Sequence, residues 1–374
     1  MKYFIMKTLK KIPFILSILS FLTFFTSVNA EIKVVASIKP IHSLASYLMD
    51  GVAKPDLIVD GYASPHGFAM KPSHAKMLQN ADLIFWVGED LESFLEKPLN
   101  SIAKKAEKIE LMEIKGLQVL KFRERNIFDD HDDHGHDDHD DHGKKEDDHD
   151  DHDHDDHGKK EDDHDDHDHD DHGKKEDDHD DHDHDDHGKK DGHDDHDDHD
   201  GHEGHAHGEF DPHIWLDPMN AKVILNEMVE HLIENDAKNA SKYKSNLKKA
   251  LKEIDKLNKD VKAELSKSTA SIVFHDAYQY FEERYNVNIL GAFTVNTDVM
   301  PGAEQLKEIR EVIEHDKVAC VFSEPQFNPD IIKAVAKDMN IKTGVVDPLG
   351  ATLNPGKSLY FDLIRNMSAS FKGC

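Results

Sequence analysis

The sequence predicts an α/β protein with two (β/α) lobes, each built on a parallel sheet, joined by a long rigid helix. Three observations carry this. Short, continuously apolar runs of strand length alternate with helical stretches, once before the middle of the chain and again near its end. Strands of that kind are buried on both faces, the mark of parallel sheets covered by helices. Between the two series lies a helical pattern at 237–267 that no Pro or Gly interrupts.

The chain opens on a secretory signal. Lys2, Lys7, Lys10 and Lys11 form a basic region, residues 14–25 an apolar one, and Val28-Asn29-Ala30 a small-residue cleavage site. The apolar run is shorter than the ~20 residues a membrane span needs, so residues 1–30 are excluded from the fold and the mature chain starts at Glu31. No cysteine follows the run to carry a lipid anchor, which points to a soluble periplasmic protein.

The first series places strands at 32–38, 56–60, 83–88 and 108–112, with helices at 41–49, 72–79 and 91–105. In the long helix Tyr243, Leu247, Leu251, Ile254, Leu257, Val261 and Leu265 fall at steps of three and four. At 1.5 Å per residue it is a rod of ~45 Å, read as a strut from lobe to lobe. The second series places strands at 271–274, 289–295, 319–323 and 343–347, and helices at 304–313, 329–338 and 358–367. The expected division is a first lobe at 31–236, the linking helix at 237–267 and a second lobe at 268–374. Cys320 and Cys374 are the two cysteines, and an exported chain permits them one disulfide, which would tie the C-terminus to a buried strand.

The first lobe is interrupted at 129–208 by a tract with 23 of the chain's 30 histidines. A 15-residue unit, GKKEDDHDDHDHDDH, starts unchanged at Gly143, Gly158 and Gly173. Nothing in the tract could form a core, so it is expected to be disordered. It carries the whole of the formal net charge of -31, and the rest of the chain is close to neutral with no basic stripe. This argues against nucleic acid and anionic membrane surfaces as partners. Imidazole and carboxylate are transition-metal donors. His149, His152, His154, His157, His202, His205 and His207 are candidate accessory ligands, in overlapping sites that bind weakly because each must first be ordered. The tract then concentrates metal or senses its excess. It has no EF-hand frame, and the chain has no HExxH or CxxC.

Seven histidines lie outside the tract. His66, in ASPHGFAMKPS, follows a strand; His213, in DPHIWLDP, sits between two prolines; His275, in FHDAYQYF, ends the strand SIVF. Asp347, after a strand and before Pro348, occupies an equivalent place. Open α/β sheets bind ligands outside the carboxyl ends of their strands, and three imidazoles with a carboxylate suit tetrahedral Zn²⁺. His42 is expected in the first helix, and His74, His231 and His315 on helix surfaces. Glu324 ends a strand as a structural acid or one behind the ligands. Phe68, Trp86, Trp215 and Phe274 are read as cleft walls and core.

The stretches VASIKPIHSLA, ASPHGFAMKPS, LQNADLIFWVG, DPHIWLDPMNA, FHDAYQYF, CVFSEPQFNP and VVDPLG resemble the zinc-specific periplasmic solute-binding proteins of ABC importers, ZnuA type, in the metal-binding cluster A-I. The resemblance spans nearly the whole mature chain apart from the tract. It implies one metal in the cleft between the lobes, His66, His213 and His275 as ligands, and zinc rather than manganese, whose binders carry a carboxylate where His275 stands. A His-rich loop between the first two ligands is typical of the zinc members. Some of them use a glutamate just before the first histidine as fourth ligand. Pro65 closes that route, which leaves Asp347 or a water. The implied function is zinc capture in the periplasm and delivery to an ABC permease, by a monomer that is not an enzyme. The rivals are manganese or iron capture, a zinc hydrolase, which needs an open coordination position and a base, and a metal buffer or adhesin with no permease.

Overall fold

The structure, a computed structural model, describes residues 31–123, 125–127, 208–297, 299–337, 339 and 341–374. The expected signal at 1–30 and the tract with its candidate ligands lie outside the described residues, apart from Gly208.

The first sheet has four parallel strands in the order β2-β1-β3-β4: β1 (Val34–Ile38), β2 (Asp56–Val59), β3 (Leu83–Trp86) and β4 (Glu107–Glu110). β1 and β3 are buried along their whole length, as their unbroken apolar runs require. The helices between them are α1 (Lys39–Leu48), α2 (Pro72–Asn80) and α3 (Glu89–Ser101). α1 and α2 both begin with Pro in the first turn, where a missing N–H costs nothing.

α4 (Pro218–Asn235) and α5 (Ala240–Glu264) follow the tract and pack on one another. Asp217 caps α4 by accepting from the Met219 N–H, with Pro218 in the first turn. α5 is the long helix predicted, 25 residues or ~37 Å. It lies against α4, α1 and the C-terminal helix.

The second sheet repeats the first in the order β6-β5-β7-β8, all parallel: β5 (Ser271–His275), β6 (Ile289–Thr294), β7 (Cys320–Ser323) and β8 (Lys342–Val345). Its helices are α6 (Gln279–Tyr285), α7 (Ala303–His315), α8 (Asp330–Ala336) and α9 (Leu359–Gly373). α9 crosses back to pack on α1 and α5. Its end is pinned to β7 by the Cys320–Cys374 disulfide, with Cα atoms 5.8 Å apart.

One hydrophobic core runs through both sheets, from Val34 and Phe85 to Val273, Phe281 and Phe322. A smaller one, with Phe274 and Phe293, covers the other face of the second sheet. The chain leading into the tract leaves along β6: Asn126 O accepts from the Ala292 N–H at 2.8 Å. Gly291 is required there, since a Cβ would stand 2.5 Å from Asn126 O. The chain returning from the tract pairs with the outgoing one, Lys121 opposite Phe210. Among the described residues no helix is long and apolar enough to cross a membrane.

Candidate metal centre

Three separate segments bring three imidazoles together. His275 is the last residue of β5, the strand from which the second sheet grows in both directions, and such switch points form ligand crevices. His66 lies in the loop after β2, and His213 begins a short 3-10 turn ahead of α4. One ligand atom from each lies within 4.8 Å of the others. The ring centroids are 4.9 to 5.5 Å apart. His213 and His275 are buried and His66 is half-buried.

The space between them, walled also by Asp90, Phe122, Gly208, Phe210 and Val295, is ≈ 10 Å³ to a water-sized sphere. That holds one ion or water and no organic molecule. Two of the rings have a carboxylate behind them. Asp211 Oδ1 lies 2.7 Å from His213 Nδ1, and the Trp215 ring is 5.3 Å from that imidazole. The Trp215 indole donates to Pro348 O at 2.8 Å, which ties this turn to the loop after β8. Behind His275, a Glu324 oxygen stands 3.6 Å from Nδ1 and accepts from the Tyr278 hydroxyl at 2.8 Å. Burial pushes the Glu324 carboxyl up to about 8 against the lowering effect of that bond.

The expected fourth ligand, Asp347, is not brought into this group. Its Oδ1 accepts from Gln326 Nε2 at 2.9 Å and from the N–H groups of Leu349 and Gly350 at 3.1 and 2.9 Å. Its Oδ2 accepts from the Ala351 N–H at 2.6 Å. The carboxylate is spent on shaping its own turn.

The remaining histidines do other work. His42 sits in α1 against Pro55 O. His74 is buried rather than on a surface; its Nδ1 accepts from the Lys71 N–H, and its ring stacks on Phe68. His315 is exposed on α7. His231, on α4, meets Glu107 at 2.7 Å, with Glu227 and Glu234 near. That half-exposed group could also hold an ion geometrically, but an ion-pair network accounts for it. Trp86 and Trp215 belong to the larger core, against which the partly buried Phe68 packs, and Phe274 belongs to the smaller one. Asp211 was not singled out from the sequence. Its signal was there in the Asp-x-His spacing, which lets one carboxylate reach both the backbone and the ring of the histidine.

The family described as zinc-uptake complex component A, periplasmic, matches residues 34–374. The high-affinity zinc uptake system protein ZnuA of Brucella abortus (strain 2308) is 41% identical over 343 residues, 91% of each chain. That of Haemophilus influenzae (strain ATCC 51907 / DSM 11121 / KW20 / Rd) is 36% identical over 347 residues, 92% of this chain and 93% of that one. Among solved structures, a crystal structure of ZnuA superposes with a TM-score of 0.62 at 18% identity, covering 91% of this chain and 99% of that one. The laminin-binding protein Lmb of Streptococcus agalactiae, described as a bifunctional adhesin with metal transporting activity, gives 0.61 at 18% identity with the same coverage. These two show the fold. The family match and the identities to the curated relatives go further: this chain belongs to the family of the periplasmic zinc-uptake complex component A.

Proposed function

We propose that the chain captures Zn²⁺ between its two sheets and delivers it to an ABC-type import permease. The observation that carries the reading is the convergence of His66, His213 and His275 around a space for one ion. Three neutral nitrogens suit zinc better than manganese, which prefers oxygen donors. Three imidazoles leave one tetrahedral position, and the reading takes water as its occupant, because Asp347 could reach it only by giving up a turn that uses both its oxygens. A hydrolase is disfavoured by the size of the space, which admits no organic substrate. The leader at 1–30, the disulfide and the family's description support a periplasmic location. The tract is an accessory that concentrates zinc near the cleft or senses excess.

The test is a competition titration of zinc against manganese on mature protein lacking 129–208, followed by Trp215 fluorescence. One tight zinc site that manganese does not displace is expected. His66→Ala, His213→Ala and His275→Ala each weaken it by at least about a hundredfold, whereas Asp347→Ala changes it by less than about tenfold. Absence of a tight site would move the function to the tract, and a large loss in Asp347→Ala would restore that residue as a ligand.

A further inference from the structure

We propose that Asp211 is a positioning residue for metal capture: its carboxylate holds His213 in the tautomer and ring orientation that aim Nε2 at the ion. The proposal rests on the zinc reading of the three-histidine group and adds to it the residue that prepares one ligand before metal arrives.

The geometry is a two-point grip. A single oxygen, Asp211 Oδ1, accepts from the His213 backbone N–H at 2.9 Å and from ring Nδ1 at 2.7 Å. With the backbone and the ring of one residue held by one atom, the His213 side chain has no rotation left that keeps both bonds. Oδ1 is already the acceptor for the backbone N–H, so it faces the ring as an acceptor too, and the ring nitrogen against it carries the proton. Nε2 is then left with its lone pair. Free imidazole in water favours the opposite tautomer, with the proton on Nε2, so the carboxylate is what sets this one. Asp211 is 1% and His213 3% exposed, so no bulk water replaces the bond if it is lost. Buried polar pairs of this kind hold their geometry because the alternative is an unpaired group.

Asp211 is itself fixed. Its N–H donates to Leu120 O at 2.9 Å, and its carbonyl accepts from the Tyr280 hydroxyl at 2.7 Å. The same hydroxyl accepts from the Leu120 N–H at 3.1 Å. Tyr280 thus rivets the two strands at the base of the tract to each other and to α6. The carboxylate stands on a small rigid ribbon, not on a free loop end. Orientation of a ligating histidine through its second nitrogen is a general device of zinc sites, and its loss costs about 10–100-fold in affinity.

The experiment uses the full mature chain with ¹⁵N-labelled histidine, in wild-type, Asp211→Ala and Asp211→Asn forms. His213 ring signals are assigned by their loss in His213→Asn. In metal-free protein the wild type shows the proton on Nδ1. Asp211→Ala moves it to Nε2 or into exchange between the two. Asp211→Asn, whose amide oxygen still accepts, keeps it on Nδ1. Zinc is then set by chelator buffers, so that metal taken up by the tract does not alter its free concentration, and binding is read at the same ring. Asp211→Ala weakens the site about 10–100-fold and Asp211→Asn loses less. The proposal is overturned if Asp211→Ala keeps both tautomer and affinity. It is equally overturned if both variants lose affinity alike while the tautomer stays put, which would mark a merely structural role. If wild-type His213 gives no response to zinc, the zinc reading fails instead, and the metal-free tautomer still reports on the grip.

Discussion

Glu92 is a carboxylic acid with no solvent contact. It lies in the first turn of α3, and its Oε2 accepts from the Val87 N–H at 2.7 Å and the Gly88 N–H at 3.3 Å. Burial dominates those bonds and raises its carboxyl to about 7. In the unfolded chain the group ionises near 4.5. Below that pH both states are protonated and the full contribution to stability is present. As pH rises toward 7, only the unfolded chain loses its proton, so the contribution is lost. The expected loss is on the order of 3 kcal/mol between pH 4.5 and 7.5. Urea unfolding of wild type and Glu92→Gln at both pH values checks it, since the difference between the two cancels the other titrating groups. A difference that stays flat with pH would contradict the assignment. Nothing in the sequence announced this residue: LESFL reads as an ordinary amphipathic turn, and only the packing of α3 on the strand ends buries the acid. His66, His213 and His275 were different, because strand ends and prolines mark their places locally.

At the scale of elements, the eight strands were legible because most are short apolar runs alternating with helices, and the observed spans fall within a residue or two of the predicted ones. α4 was not drawn from the pattern. It is buried by α5, α1 and β3 together, so its apolar residues spread around the helix and blur the period. α9 was predicted as a helix of the second lobe, and its packing against α1 came only with the tertiary structure. The disulfide at its end spans a separation of 54 residues. Opening a loop of that size costs about 4 kcal/mol in the chain-entropy account. Cys374→Ser is therefore expected to lower the unfolding free energy by about that much, and reductant should lower wild type but leave the variant unchanged. Equal sensitivity of the two to reductant would sink the idea.

For the whole molecule the question is how far the sheets move when the ion enters. Relative motion is the default for two lobes unless their interface is large and apolar. Here one core is continuous through both. Polar ties reinforce it. The buried Lys39 at the start of α1 donates to the carbonyls of Gly350, Ala351 and Leu353 at 3.3, 2.9 and 3.0 Å. Tyr360 on α9 bonds Trp215 O through its hydroxyl and Ser43 Oγ through its N–H, both at 2.9 Å. Arg123 Nε donates to Asp276, next to His275, at 2.9 Å. Spin labels at the exposed positions Lys97 on α3 and Glu314 on α7 should accordingly keep their mean separation within about 2 Å on zinc addition. A shift above about 5 Å would show hinge closure instead.

The sequence by itself determined the α/β class, the strand and helix series and the extent of the histidine tract, and it pointed to the three histidines that the fold brings together. These are written in local patterns: apolar periodicity, composition and residues at element ends. Only the tertiary structure decided that Asp347 spends its oxygens on a turn, that Asp211 bonds both the backbone and the ring of His213, that α9 returns to pack on α1 and that Lys39 spans to the loop after β8. Each depends on which groups far apart in the chain, or turned by a local bend, come within the 3 Å or so of a hydrogen bond, and no pattern along the chain encodes that distance.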